Sequence, residues 1–265
     1  MSTPGFLEGL NEQQLEAVTL PHGSALILAG AGSGKTRVLT TRIAWLIHTG
    51  QASPHGILAV TFTNKAAKEM LTRISTMLPI NTRGMWVGTF HGLCNRMLRM
   101  HYREANLPQM FQILDTQDQL ALLKRVMKSM NIDDERYPPR QVQWFIAANK
   151  DEGRRARDVE AYDDFATAMV EVYAAYDAQC QREGVVDFGE LLLRSYELLS
   201  SNEPLRDHYR ARFGHVLVDE FQDTNRLQYR WLQMLTGEAA SIFAVGDDDQ
   251  SIYAFRGASV SYTHL

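Results

Sequence analysis

The 265-residue chain has only two cysteines, Cys94 and Cys180, and no apolar run approaching 18 residues. Two scattered thiols outside metal-ligand spacing exclude a disulfide framework and a cysteine-built metal centre. Without a secretion signal they imply a reducing compartment. The missing apolar run excludes a helical membrane span. The first twenty residues carry Glu8, Glu12 and Glu16 and no apolar core, so they do not read as a signal peptide and a cytoplasmic location is expected. Internal repeats and low-complexity tracts are also missing. An excess of basic charge is lacking as well, since the net charge is −4. Its distribution is uneven, however. From Lys35 to Arg103 there are ten Lys/Arg and one acid, Glu69, a local charge of +9 against −13 elsewhere. A solvated basic face is one reading; an anion-facing surface built from one part of the chain is the other.

Short apolar runs at 25–29, 57–62, 86–89, 215–219 and 241–245 each precede turn or helix signals. Near-continuous apolar strands alternating with helices predict an α/β fold with a parallel sheet covered on both faces. Thr63 or Asn64 can cap a helix over 65–77, and Asp115 or Thr116 one over 117–130. Between 91 and 186 helical patterns dominate (91–104, 117–130, 140–149, 164–182) and no convincing strand is present. Pro138-Pro139 and the polar run 150–157 punctuate them. The helical pattern continues over 187–200 before strands resume. The expected organisation is one α/β domain in two parts, 1–90 and 187–260, interrupted by an all-helical insert over 91–186.

The most informative stretch is 25–36, an apolar run leading into Ala29-Gly30-Ala31-Gly32-Ser33-Gly34-Lys35-Thr36. Ala29 stands where the strict phosphate-loop pattern has its first glycine. Strand, glycine-rich turn and helix N-terminus in that order aim backbone N–H groups and the helix dipole at an anion. Lys35 can reach the β/γ-phosphates of a bound ATP, and the Thr36 hydroxyl can hold Mg²⁺. An accidental glycine loop is the bland alternative. Such a loop needs a partner carboxylate and a base, and Val216-Leu217-Val218-Asp219-Glu220 supplies two acids after an apolar strand. Ligands of open α/β sheets bind at that carboxyl edge. Asp219 would hold Mg²⁺ and Glu220 would orient and deprotonate the attacking water. Gln250, in the run that follows 241–245, is uncharged and can both donate and accept, which suits a γ-phosphate or its water. Tyr253 and Phe255 either pack in a core or offer faces on which unpaired bases stack, worth ~1–3 kcal/mol each.

Together these blocks resemble the N-terminal part of the UvrD/Rep/PcrA-type superfamily 1 DNA helicases. The matching segments are Leu10–Gln14, Ala29–Thr36, Thr61–Ala67, Gly88–His91, Asp187-Phe188, Val218–Asn225 and Gly246–Ala258, in family order. The resemblance implies a RecA-like P-loop domain (1A) with a helical insert (1B). It implies ATP and Mg²⁺ as cofactors, and 3′–5′ movement on single-stranded DNA with unwinding at single-strand/duplex junctions, in DNA repair with repair-protein partners. Residue by residue, Gln14 would read the adenine and Arg37 would lie near the nucleotide. Gln222 and Gln250 would couple the γ-phosphate to DNA. Phe62, Thr63, Asn64, Thr89, His91, Phe188, Tyr253, Phe255 and Arg256 would line the single-strand path.

Two departures qualify this expectation. The second RecA-like domain, with the arginines that complete the ATP site, is missing from the chain, and such an arginine carries ~10³–10⁵ in rate in related NTPases. Residues 261–265 do not resemble the family and are read as a non-native tail. The isolated chain is therefore also legible as an ATP- and single-strand-binding module with little turnover. A helicase–nuclease subunit shares the motifs, and a small-molecule kinase would not need Thr61–Ala67 or Gly88–His91.

Overall fold

Residues 4–30, 32–247 and 261–264 are described in the computed structural model. Its strands are β1 (Ala25–Leu28), β2 (Ile57–Thr61), β3 (Trp86–Thr89), β4 (Gln112–Ile113), β5 (Val185–Val186), β6 (His215–Val218), β7 (Ser241–Gly246) and β8 (Ser261–His264). Its α-helices are α1 (Glu12–Thr19), α2 (Lys35–His48), α3 (Asn64–Met77), α4 (Phe90–Met100), α5 (Thr116–Ser129), α6 (Pro139–Asp151), α7 (Asp164–Glu183), α8 (Phe188–Ser201), α9 (Glu203–Arg212) and α10 (Arg226–Leu235). The chain divides into two compact units. One comprises Met1–Leu93, Asn202–Thr224 and Leu232–Leu265; the other, Cys94–Ser201 and Asn225–Trp231.

In the first unit the described strands form one parallel sheet in the order β3-β2-β6-β7-β1-β8. All four residues of β1 and of β6, and all five of β2, are buried. Burial on both faces is why these segments read as unbroken apolar runs rather than alternating ones. Ile27, Val38, Ile43, Ala59, Leu217 and Phe243 belong to the core. Because every strand runs the same way, the loops after β1, β2, β3, β6 and β7 emerge on one edge. Residues 261–264 pair with β1 as an edge strand, Ala25 opposite Ser261. Thr63 caps α3, its hydroxyl accepting from Ala66 N at 3.1 Å.

A buried histidine gives this unit a pH dependence. His215 Nδ1 lies 2.9 Å from Ser241 Oγ, and the His22 ring packs edge-on at 5.3 Å. Burial, then His22 and Arg42, push the His215 pKa below its usual 6.5. The unfolded chain therefore binds more protons just below that pH, and stability is lost as pH falls through 6.5. Urea titrations between pH 7.5 and 5 should show this loss, and His215→Gln should flatten it. An unchanged slope in the variant would assign the loss elsewhere.

The second unit is helical. Leu122, Leu123, Val142, Ile146, Tyr173 and Tyr176, from α5, α6 and α7, form its core. Helix α7 ends at Gly184 in the left-handed region (φ 67°), where a Cβ would meet Pro108 Cγ at 2.8 Å, so glycine is required there. Val185 and Val186 then pair with Gln112 and Ile113. This two-residue pairing escapes the sequence because it is too short to leave a periodicity.

The polar run 150–157 is not simply a solvated connection. Lys150 is 1 % exposed, with Nζ 3.1 Å from Asp177, 2.8 Å from Asp187 and 3.0 Å from Glu190. Arg155 donates to both oxygens of Glu190 and both of Glu197. Burial alone would lower the Lys150 pKa, but its three carboxylates outweigh burial and hold it well above the ordinary value. Burial opposes the Glu190 charge too, yet Lys150, Arg155 and Arg194 keep it ionised. The same network ties α8 to α6 and α7 within the second unit, whose first segment runs from Cys94 to Ser201. Cys94 and Cys180 are both free and buried, and burial raises both thiol pKa values, that of Cys180 to about 12.

Candidate nucleotide and nucleic-acid site

Six residues join β1 to α2, and the first of them, Ala29, still donates its N–H to Gly246 O of β7 at 3.0 Å. Gly32 (φ 80°) and Gly34 (φ 83°) then turn the backbone through the left-handed region, which glycine alone adopts without strain. Gly34 is the N-cap of α2, with no side chain capping it. The orphan N–H groups of that first turn are left for an anion. The Ser33 hydroxyl is buried without a hydrogen-bond partner, a second polar group awaiting a ligand. Gln14 holds the loop from outside. Its side chain donates to Ser33 O at 2.9 Å, and a capping box with Asn11 fixes its position on α1. Arg37 donates to Glu8 O at 2.9 Å beside the same loop.

Gly32, Gly34, Lys35, Thr36, Arg37, Arg73, Glu220 and Asp247 line a cavity of about 560 Å³. Lys35 is buried and contacts Asp247 directly, with Glu220 Oε2 at 3.6 Å. Burial would lower its pKa, but Asp247 and Glu220 outweigh that and the net shift is upward. An incoming triphosphate can replace both carboxylates as the partner of this cation. Asp219, 3 % exposed, continues β6, its N–H donating to Val60 O at 2.9 Å. Burial, reinforced by Glu220, pushes its pKa up to about 6, while the Glu220 N–H, Lys35 and a hydrogen bond from Thr36 pull it back.

Thr36 and Asp219, the two groups expected to hold Mg²⁺, are thus in contact. Among the described residues no three His, Cys, Asp or Glu side chains gather into a metal site. A hydroxyl and one carboxylate fit Mg²⁺ all the same, because that ion keeps waters and takes its remaining ligands from phosphates.

Glu220 adopts the left-handed region (φ 47°), unusual for a residue with a side chain. Its Oε2 accepts from Gln222 Nε2 at 2.7 Å, while Gln222 Oε1 accepts from Asp247 N at 3.1 Å. Gln222 therefore ties the end of β6 to the end of β7. Asp247 falls within the segment Gly246–Ala258 but has no role assigned there, and Arg73 falls in no matching segment. Arg73 lies on α3, where its ion pair with Glu69 at 2.5 Å reads as ordinary helix-surface chemistry. Only the fold brings it to the cavity.

On the other half of the same edge, β2 and β3 are neighbours, with Thr61 opposite Thr89. Phe62, Thr63 and Asn64 follow one strand; Thr89 ends the other, with Phe90 and His91 after it. Thr63 and Asn64 are exposed, Phe62, Thr89 and His91 partly so. Phe62 packs edge-on against Phe90 at 5.5 Å, and Thr89 Oγ1 accepts from Gly92 N. In the second unit Phe188 opens α8 with half of its surface exposed. Ala31, Gln250, Tyr253, Phe255 and Arg256 lie outside the described residues.

Comparison with known proteins places these features. The profile of the UvrD/REP helicase N-terminal domain matches residues 10–264. The chain is 53% identical to DNA helicase II of Escherichia coli K12 over 261 residues, covering 98% of this chain and 36% of that protein. It is 50% identical to DNA helicase II of Haemophilus influenzae over 265 residues, with the same coverage. It is 40% identical to the ATP-dependent DNA helicase PcrA of Staphylococcus epidermidis RP62A over 257 residues, covering 96% of this chain and 35% of that protein. The chain thus spans about a third of the length of these curated relatives. With a phosphate loop, paired acids and a parallel sheet in one continuous match, the chain belongs to the UvrD/REP helicase family, in the region of its N-terminal domain.

Proposed function

We propose that this chain is the ATP-binding N-terminal portion of a 3′–5′ DNA helicase that translocates on single-stranded DNA, unwinds at single-strand/duplex junctions and serves DNA repair in the cytoplasm alongside repair proteins. The first compact unit is read as the RecA-like domain 1A and the second as the insert 1B. The observation that carries the reading is the shared sheet edge. The phosphate loop, Asp219 and Glu220 stand at the ends of β1 and β6, and Phe62–Asn64 and Thr89–His91 at the ends of β2 and β3. A shift at one set of loops is transmitted to the other through paired strands.

In this reading the loop N–H groups and Lys35 bind the triphosphate, Gln14 and Arg37 flank the nucleotide, and Thr36 and Asp219 hold Mg²⁺. Mg²⁺ held there would supply positive charge that offsets what develops on the phosphates. Glu220 orients the attacking water and accepts its proton. Gln222, hydrogen-bonded to Glu220, carries the state of the γ-phosphate toward Asp247 and, with Gln250, toward the DNA. Phe62, Thr63, Asn64, Thr89, His91, Phe188, Tyr253, Phe255 and Arg256 line the strand. Arginines from a second RecA-like domain complete the charge stabilisation, so the isolated chain binds Mg·ATP and single-stranded DNA with little turnover.

The test is binding and hydrolysis of Mg·ATP by the purified chain, with and without a single-stranded oligonucleotide. Binding of both ligands with slow turnover is expected. Failure to bind Mg·ATP would overturn the reading, and strong DNA-stimulated turnover would overturn the need for a second domain. Glu220→Gln should leave Mg·ATP affinity nearly unchanged while slowing whatever turnover remains. If it abolishes nucleotide binding instead, Glu220 is a ligand and not the base.

A further inference from the structure

Phe188 is half exposed, yet the residues around it in sequence are fixed by buried charge. Asp187, immediately before it, caps α8 by accepting from Glu190 N at 2.7 Å through Oδ1. Its Oδ2 accepts from Lys150 Nζ at 2.8 Å, Tyr176 Oη at 2.9 Å and Gln119 Nε2 at 3.2 Å. Gly189, immediately after, lies so close to the Lys150 stem that a Cβ would come within 3.3 Å of Lys150 Cβ and Cδ. Glu190 is held by Arg155 and Lys150. Side chains from α5, α6 and α7 thus converge on the first turn of α8, where Phe188 is half exposed.

Buried ion clusters seldom add stability over well-packed apolar residues. What this one adds is a single backbone geometry on both sides of one exposed aromatic ring. We propose that the Lys150–Asp187 ion pair is a positioning device that presents the Phe188 ring in one orientation, as a preformed stacking platform for an unpaired base. The proposal rests on the assignment of Phe188 to the single-strand path. A preset ring has less freedom to lose when the base arrives, and part of the ordering cost of binding is removed beforehand.

Asp187→Asn separates the two duties of this side chain. The amide oxygen can keep the cap on Glu190 N, while the amide nitrogen turns a donor toward Lys150. In the 265-residue chain, binding of oligothymidylate would be followed by anisotropy, and stacking by the quenching of 2-aminopurine in a single-stranded oligonucleotide. Asp187→Asn should weaken oligothymidylate binding by about two- to tenfold, the fold-change of ordering one side chain. It should also reduce the quenching and leave Mg·ATP affinity unchanged. In a Phe188→Ala background the same substitution should have no further effect on DNA. A folded Asp187→Asn chain that binds and quenches like the parent overturns the proposal, as does a cost that persists in full without the Phe188 ring. If Asp187→Asn does not fold, Tyr176→Phe removes one hydrogen bond to Asp187 Oδ2 and is judged by the same two outcomes. Phe188→Ala with unchanged DNA affinity would sink the assignment of Phe188, and the positioning role with it. A loss in Phe188→Ala without one in Asp187→Asn sinks the positioning role alone.

Discussion

Lys35→Ala should lower Mg·ATP affinity by about 10²-fold or more while leaving the fold intact. The ammonium group is the charge that meets the β/γ-phosphates in a P-loop. Two charge-assisted hydrogen bonds at ~1.5–3 kcal/mol each amount to at least ~3 kcal/mol, and every 1.4 kcal/mol is about tenfold. The stem adds to the loss because Lys35 is buried at the start of α2, and alanine leaves that space unfilled beside the loop. The same substitution removes the partner of Asp247 and Glu220. Lys35 also pulls the Asp219 pKa down, so in the empty variant that carboxyl should be displaced further above its ordinary value. Isothermal titration with Mg·ATP, beside circular dichroism to check folding, decides the matter. Parent-like affinity in a folded variant would remove the phosphate-loop assignment.

Lys150→Met should cost about 3–5 kcal/mol of stability, the penalty for removing one partner of a buried ion pair. The methionine approximates the aliphatic stem but leaves Asp187 buried without the cation it contacts, and leaves Asp177 and Glu190 dependent on arginines alone. At ~2–4 °C per kcal/mol for a chain of this size, the thermal midpoint should fall by roughly 10 °C. The effect belongs to the helical unit, so the signal to follow is the helical dichroism at 222 nm. A midpoint within a degree or two of the parent would mean that water or rearranged arginines already compensate these carboxylates, and the buried network would lose its energetic role.

These two lysines differ in how far the sequence exposes their roles. Lys35 sits in a local pattern in which glycines, helix start and preceding strand all occur within a dozen residues. Each of those features has a short-range physical cause: positive φ, an uncapped helix N-terminus, burial on both sheet faces. The five apolar strands of the sheet are legible for the same reason. Lys150 gives no such signal. It stands in a polar run, and its partners are Asp177 on α7, Glu190 on α8 and Asp187 at the α8 cap, which only packing brings together. Arg73 is hidden in the same way, since it reaches the cavity from α3 through packing and not through its neighbours in sequence. The β4–β5 pairing is too short to have a period, and the ion network that ties α8 to α6 and α7 joins residues far apart in sequence.

The two thiols have a practical consequence for following this molecule at work. Because Cys94 and Cys180 are buried and held in their protonated form, neither should compete with a cysteine introduced at the surface for maleimide dyes near neutral pH. One engineered cysteine in each compact unit would then carry a donor–acceptor dye pair without stripping the native thiols. The chain is in that respect ready for single-molecule distance measurements while Mg·ATP or an oligonucleotide is titrated in.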